Sequence, residues 1–262
     1  MVDTFLKTYF KNRPVFLGLI RAKELELFHR FLPPAAALSA LRILDFGSGD
    51  GFFTRTLFNG ERVPLCGIDP DKRIAGKALA EGIYNQFPLY DGVRVPFKDN
   101  TFDLIISNSV LEHVEDLPHT VKELSRTLKR GGTLLCSVMT DRWETHLAGR
   151  LCLGQSYAGW LRRRQKHNNL LSFDGWHDHF EKGGFRTGAV IGYMDKKASR
   201  WFELFHYLSL HSLISHRLCG RWVLFPRLFD LFPVDTLFAP LVREDIPVPD
   251  AAALFFKLVK DS

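Results

Sequence analysis

The chain is short of the features that would place it outside the cell or across a membrane. Only four of its 262 residues are cysteine (Cys66, Cys136, Cys152, Cys219), and no two form a CxxC pair. That excludes a zinc ribbon and a secreted disulfide framework and points to a reducing cytosol. The longest stretch free of Asp, Glu, Lys and Arg, Leu204 to His216, has 13 residues and includes three histidines. A spanning helix needs ~20 apolar residues. The opening, MVDTFLKTYFKNRP, is charged where a signal peptide is apolar. Repeats and low-complexity linkers are also lacking. With 46% hydrophobic and 24% charged residues, the composition is that of a globular chain able to bury a core unaided.

Aromatics and positive charge are in excess. Phenylalanine alone occurs 23 times and the net charge is +6. Residues 141–170 carry six Arg/Lys against two acids, and residues 195–227 repeat that balance. Basic, aromatic segments fit an anionic partner, a membrane surface or nucleic acid, or else a solvated rim around a core. No recognised nucleic-acid module surrounds them, so nucleic acid is the weakest of the three.

Along the first 40 residues Leu17, Ile20, Leu25, Phe28 and Phe31 recur at helical steps until Pro33-Pro34. From Leu41 the rhythm changes. Short apolar runs bounded by Gly, Asp and Asn follow one another at Arg42–Asp45, Pro64–Ile68, Phe87–Tyr90, Phe102–Ser107 and Thr133–Val138, with two more at Phe185–Tyr193 and Ala253–Val259. Such runs, separated by helix-length spacers, are buried strands of an open sheet. Asp116 with Pro118 should start a helix ending at Gly131-Gly132, and Ser172 should start another. The expected fold is α/β: a doubly wound, Rossmann-like, seven-stranded and mostly parallel sheet with helices on both faces. An N-terminal helical segment takes 1–40, the sheet domain 41–194 and 251–262, and a helical, aromatic-rich insertion 195–250.

The sharpest motif is Asp45-Phe-Gly47-Ser48-Gly49-Asp-Gly51, at the end of the first strand and the start of a helix. Its glycines permit positive φ and let a ligand lie on bare backbone at a helix N-terminus. A dinucleotide fingerprint would need its third glycine at position 52, where Phe52 stands. Asp69 ends the second strand about 20 residues on, where a carboxylate can accept both hydroxyl protons of a ribose. Asp91-Gly92 and Asn108-Ser109 end the third and fourth. Strand C-termini are where open α/β sheets bind ligands.

The segments DFGSGDG (45–51), GIDP (67–70), YDGVRVPFKDNTFDLIISNSVLEHV (90–114) and LKRGGTLL (128–135) resemble class I S-adenosylmethionine-dependent methyltransferases of the small-molecule type. LLSFDGWHDHFEKGGF (170–185) extends the resemblance. It implies S-adenosyl-L-methionine as cofactor and methyl transfer as activity. By the same resemblance Asp45 lies near the methionine amino group, while Gly47, Gly49 and Gly51 face the methionine and ribose. Asp69 grips the ribose hydroxyls, Asp91 and Gly92 flank the adenine, and Asn108 and Ser109 lie near the sulfonium methyl. Ser48 and Pro70, inside the motifs, complete the cofactor set.

The Asn/Asp-Pro-Pro-aromatic turn of amino-methylating nucleobase enzymes is missing after the fourth strand, as is the Pro-Cys of cytosine C5 enzymes. A sulfonium donor is already activated, so transfer asks for alignment and desolvation, with a general base only for a hydroxyl or protonated amine. His113 is the first candidate base, and Asp141 and His146 are the second. His177 and His179 are two apart and share no helix face, so no metal site is expected. Residues 200–218 read as one helix with a wide apolar stripe, either a cap over an apolar pocket or an element lying on a lipid surface. The acceptor is then small or lipid-like, and the protein cytoplasmic, touching an anionic membrane at most peripherally. The alternative is a non-catalytic, cofactor-binding adaptor that docks through the basic aromatic insertion.

Overall fold

Four-residue runs without a charged surface to show must be buried on both sides, and that is how the sheet begins. The computed structural model describes residues 1–261 except 60, 62, 232 and 234–236, so part of the 195–250 segment lies outside the described residues. β1 (Ile43–Phe46) and β2 (Leu65–Ile68) are buried at every position, β3 (Phe102–Asn108) is buried at all but Asp103 and Asn108, and β4 (Leu128–Met139) is buried from Leu134 onward. β1 pairs in parallel with both β2 and β3, and β3 with β4. With β5 (Phe185–Tyr193) and β6 (Ala253–Lys260) they form a six-stranded mixed sheet in the order β2-β1-β3-β4-β6-β5.

The expected strand at Phe87–Tyr90 is not formed. Gln86 makes a single bridge to Cys66, and Pro88 then has no N–H to continue a ladder. Instead the rings of Phe87 and Tyr84 fill the space over Gly67, where a Cβ would lie 2.6 and 2.7 Å from them.

Helices cover both sheet faces in the unit formed by residues 28–140, 166–190 and 254–262. Adjacent residues of β6 show it, because neighbouring side chains on a strand point to opposite faces. Phe255 packs on Phe28 at the end of α2 (Val15–Phe31), and Phe256 packs on Phe180 of α9 (Phe173–Lys182). Ser172 caps α9 as expected, accepting from the Gly175 N–H. Asp116 likewise caps α6 (Leu117–Thr127), accepting from the His119 N–H at 2.9 Å. That helix ends at Thr127, earlier than its glycine pair. Gly131 (φ +70°) and Gly132 lie inside β4, where a Cβ on Gly132 would meet the Asp103 carbonyl at 3.1 Å. The pair lets β4 approach β3 across a register shift.

The second unit comprises residues 1–27, 141–165 and 191–253, and so includes most of the N-terminal lead and all of 195–250. Its core gathers Val2, Leu6 and Phe10 of α1 (Val2–Asn12), Leu19 and Ala22 of α2, and Ala239 and Val242. α8 (Ala148–Gln165) kinks at Gly154. The single helix expected over 200–218 is two, α10 (Lys196–Leu208) and α11 (Leu210–Cys219). Ser209 (φ −84°, ψ 8°) breaks the ladder by turning its carbonyl to the Ser212 N–H. Among the described residues no helix is long and apolar enough to cross a membrane.

Candidate functional site

β1 delivers Asp45 to the sheet's C-terminal edge, but into the protein. Its buried carboxylate accepts at Oδ2 from Thr54 Oγ1 (2.5 Å) and from the Tyr84 hydroxyl (2.6 Å). Burial pushes its pKa up to about 6, against the two hydrogen bonds and with help from Asp69. The turn that follows needs its glycines: Gly47, Gly49 and Gly51 have φ of 73, 55 and 79°. A Cβ on Gly47 would lie 2.5 Å from Val110, whereas the space at Gly49 is open. Buried Ser48 donates its N–H to the Ile68 carbonyl, tying the turn to β2.

Asp69 leaves β2 half-buried. Oδ2 accepts from the Gly49 N–H at 3.0 Å and Oδ1 from the Asp71 N–H at 2.9 Å. Desolvation raises its pKa. One carboxylate therefore clasps the glycine turn to the start of α5 (Lys72–Ala80). Asp91 closes an Asx turn, accepting from the Val93 and Arg94 N–H groups, and those bonds hold it charged to lower pH than usual. At the end of β3, Asn108 Oδ1 accepts from Ser137 Oγ (2.7 Å) and the Ser109 N–H donates to the same hydroxyl oxygen (2.9 Å). Ser109 has φ 51°, so the chain reverses sharply there.

A cleft of about 560 Å³ brings five of these residues together: Gly47, Pro70, Asp91, Gly92 and His113. Its volume is within the usual range of ligand sites. His113 sits in a turn and sets Nδ1 3.1 Å from the Lys166 carbonyl. A carbonyl only accepts, so Nδ1 is the donor in this contact, and in the neutral ring that tautomer places the lone pair on Nε2. Asp141 and His146 belong to the other unit. Asp141 starts α7 (Arg142–His146) without a side-chain cap bond. Burial, then Lys196, lowers the pKa of His146 and favours its neutral form. Among the described residues no cluster fit for a metal ion is found.

The geometry adds residues that the sequence did not single out. Asn168 and Asn169 hold the 111–114 turn: their N–H groups donate to the Glu112 carbonyl, Asn168 Nδ2 to that of His113, and Asn169 Nδ2 to those of Leu111 and Val114. Arg126 and Glu123 clamp the 95–99 loop, Arg126 donating to the carbonyls of Val95 and Phe97 and to Asp99. Thr54 and Tyr84 hold Asp45. Only the Asn-Asn pair offered a hint, as an amide doublet between the basic stretch 162–167 and Leu170-Leu171.

A family model described as "Methyltransferase domain" matches residues 16–189. The ubiquinone biosynthesis O-methyltransferase of Rhizobium etli is 27% identical over 161 residues, 60% of this chain and 64% of that protein. The chain thus spans under two thirds of the length of this relative. Among solved structures, an S-adenosylmethionine-dependent methyltransferase from Mesorhizobium loti superposes with TM-score 0.60 at 18% identity, over 92% of this chain and all of that one (100%). Another from Thermotoga maritima gives 0.58 at 18%, over 92% and 89%. These likenesses share the fold. The bare backbone at Gly49, the half-buried Asp69 carboxylate and the cleft beside Gly47 suit an adenosyl ligand with a charged amino-acid tail. The chain belongs to the methyltransferase domain family, and S-adenosyl-L-methionine is the cofactor that this membership implies.

Proposed function

We propose that the protein transfers a methyl group from S-adenosyl-L-methionine to a small or lipid-like apolar acceptor, in the cytoplasm. One observation carries the reading: the cleft lined by Gly47, Pro70, Asp91 and Gly92 is also lined by His113, whose Nδ1 lies 3.1 Å from the Lys166 carbonyl. The bound cofactor supplies an electrophilic methyl on a sulfonium sulfur. In this reading Asp69 takes the ribose hydroxyls, Asp91 and Gly92 border the adenine, and Gly47, Ser48, Gly49 and Gly51 leave the backbone bare for the methionine part. Asp45 acts through Thr54 and Tyr84, holding the turn, and Asn108 and Ser109 border the reacting methyl. Pro70 walls the cleft.

For a hydroxyl acceptor, the oxygen lone pair forms the new bond to carbon as the carbon–sulfur bond breaks. Nε2 of His113 accepts the hydroxyl proton, and the Lys166 carbonyl steadies the resulting imidazolium through Nδ1. Curated relatives named ubiquinone biosynthesis O-methyltransferases support a hydroxyl acceptor with an apolar body. Asp141 and His146 form the second candidate pair, with His146 favoured by its neutral ring.

The test is incubation with methyl-labelled cofactor and a fractionated extract. Label should enter an apolar product, and His113→Gln should lower turnover ~10²–10⁴-fold, the usual worth of a general base, with cofactor affinity kept. Unchanged turnover would move the base to Asp141 and His146. Cofactor binding with no labelled product would favour the adaptor.

A further inference from the structure

Two helices of the 1–27, 141–165 and 191–253 unit, α10 and α11, are amphipathic in reverse. On α10 the buried positions are Ala198, Ser199 and Glu203, while Trp201, Leu204, Tyr207 and Leu208 are 39, 46, 39 and 57% exposed. At 3.6 residues per turn those four lie on one arc. α11 repeats the inversion: Ser212 and Ser215 are buried, and Leu210, Ile214 and Leu218 are 61, 59 and 79% exposed. The exposed leucines continue through Leu224, Leu228 and Leu231, and α8 adds Trp160.

These elements are joined. The Tyr157 hydroxyl of α8 lies 2.7 Å from that of Tyr207 in α10, and its ring 6.1 Å from Trp160. Beyond α11, Trp222 stacks on His216 at 4.0 Å and Ser215 Oγ donates to the Arg221 carbonyl. An exposed apolar surface of this extent marks an interaction site.

Charge decides what covers it. Residues 145–173 and 204–229 contain no Asp or Glu. Arg163, Arg164, Arg217, Arg221 and Arg227 are exposed, and none has a carboxylate partner among the described residues. Arg164 lies over the Trp160 ring at 5.7 Å, aromatic and cation together. A second copy would set arginine against arginine. A bilayer with anionic headgroups offers phosphates to the arginines and an acyl boundary to the leucines and tryptophans.

We propose that this unit docks on anionic lipid membranes, with the outward faces of α10 and α11 lying in the headgroup layer. The proposal does not depend on the methyl-transfer reading. Flotation of the full chain with vesicles of phosphatidylcholine, with and without a quarter phosphatidylglycerol, tests it. Binding to the anionic vesicles should exceed that to the neutral ones by more than tenfold at physiological salt and fall in half-molar salt. At the ~1 kcal/mol of each cation near such a surface, replacing Arg217, Arg221 and Arg227 by Gln should weaken it roughly 100-fold. The variant Leu204→Ser, Leu208→Ser, Leu218→Ser should also lose binding while melting like the parent protein. No flotation with anionic vesicles would overturn the proposal. So would flotation indifferent to lipid charge and to the arginines, or self-association abolished by the leucine variant in a protein that ignores lipid.

Discussion

Helix α6 and helix α10 have similar length, 11 and 13 residues, and both segregate apolar from polar positions, yet they hide opposite halves. α6 buries the large apolar side chains Leu117, Val121 and Leu124, with Thr120, Glu123 and Thr127 beside them; α10 buries only Ala198, Ser199 and Glu203. The difference lies in what each helix meets. α6 faces apolar neighbours of the sheet unit, such as Gly183, whose absent Cβ leaves room for Val121. α10 rests its half-buried Phe202 and Phe205 on Phe16 and Phe238, but its buried carboxylate meets polar backbone. The Glu203 carboxylate accepts from the Ala148 and Gly149 N–H groups, the open donors at the start of α8, and from the Tyr157 hydroxyl. A buried carboxylate is tolerable when it caps donors that would otherwise be orphaned. An apolar stripe therefore says that a helix has two faces, and the partners say which one is inside.

The largest effect that would sharpen this contrast is at Leu124, which is fully buried. Leu124→Ala should destabilise the protein by about 2–5 kcal/mol, the cost of lost burial plus the cavity left behind. Urea denaturation measures it. A loss below about 1 kcal/mol would mean that α6 packs loosely and that the two helices differ less than their burial implies.

Next comes the buried charge of the sheet unit. Asp45 has a pKa of about 6 in the fold against an ordinary 3.8, so the folded state holds its proton more tightly than the unfolded chain does. That contribution to stability is complete below about pH 4 and is lost as pH rises through 6. The difference amounts to about 3 kcal/mol. Asn at this position is neutral throughout and can keep its oxygen toward Thr54 and Tyr84, since both donate to the same atom. The cofactor-free Asp45→Asn variant should match the parent near pH 4 and exceed its stability by up to about 3 kcal/mol at pH 7.5. A gap that stays constant across this range would remove Asp45 as the titrating group.

Much of the sheet unit was legible because its signals are local. Strands β1 to β4, the Asp116 cap of α6 and the Ser172 cap of α9 each declare themselves within a few residues. What failed was long-range. Nothing near Phe87 says that its ring will fill the space over Gly67 and turn the segment away from the sheet edge. Asn168 and Asn169 grip a turn some 55 residues earlier in the chain, and no local pattern announces such a partner. Pro70 and His113 could be named in advance because each comes after a strand end, and strand ends converge. Asp91 and Gly92 were placed by a strand at 87–90 that does not form, and they still line the same cleft. Their shared cleft could not be drawn in advance, since the same motif also contains Asp45, which turns inward to Tyr84.

If the sheet unit holds the cofactor, affinity should respond to Asp69 and ignore the aromatics of 195–250. Asp69→Ala removes a charged acceptor and should weaken binding of S-adenosylmethionine by about 1–3 kcal/mol in a calorimetric titration. The triple variant Trp201→Ala, Phe205→Ala, Trp222→Ala should stay within tenfold of the parent, a change under about 1.4 kcal/mol. Reversed sensitivities would assign cofactor binding to the wrong half of the chain.

The smallest effect is the most telling about α10. Leu204 and Leu208 are 46 and 57% exposed on a helix whose buried residues are Ala198, Ser199 and Glu203. In an ordinary amphipathic helix, leucines at i and i+4 are core residues, and losing two would cost several kcal/mol. Here the double variant Leu204→Ser, Leu208→Ser removes side chains that water already reaches. The change in unfolding free energy should be within about 0.5 kcal/mol per site, as for surface substitutions generally. Serine has a slightly poorer helix propensity than leucine, so any residual loss should be of that small size. Glu203→Gln sets the opposite expectation on the same helix, because it replaces the carboxylate that caps α8. Urea denaturation of both variants reads the direction of the helix directly. If the leucine pair proves costly and Glu203→Gln neutral, α10 faces inward with its apolar side and the membrane-docking surface disappears with it.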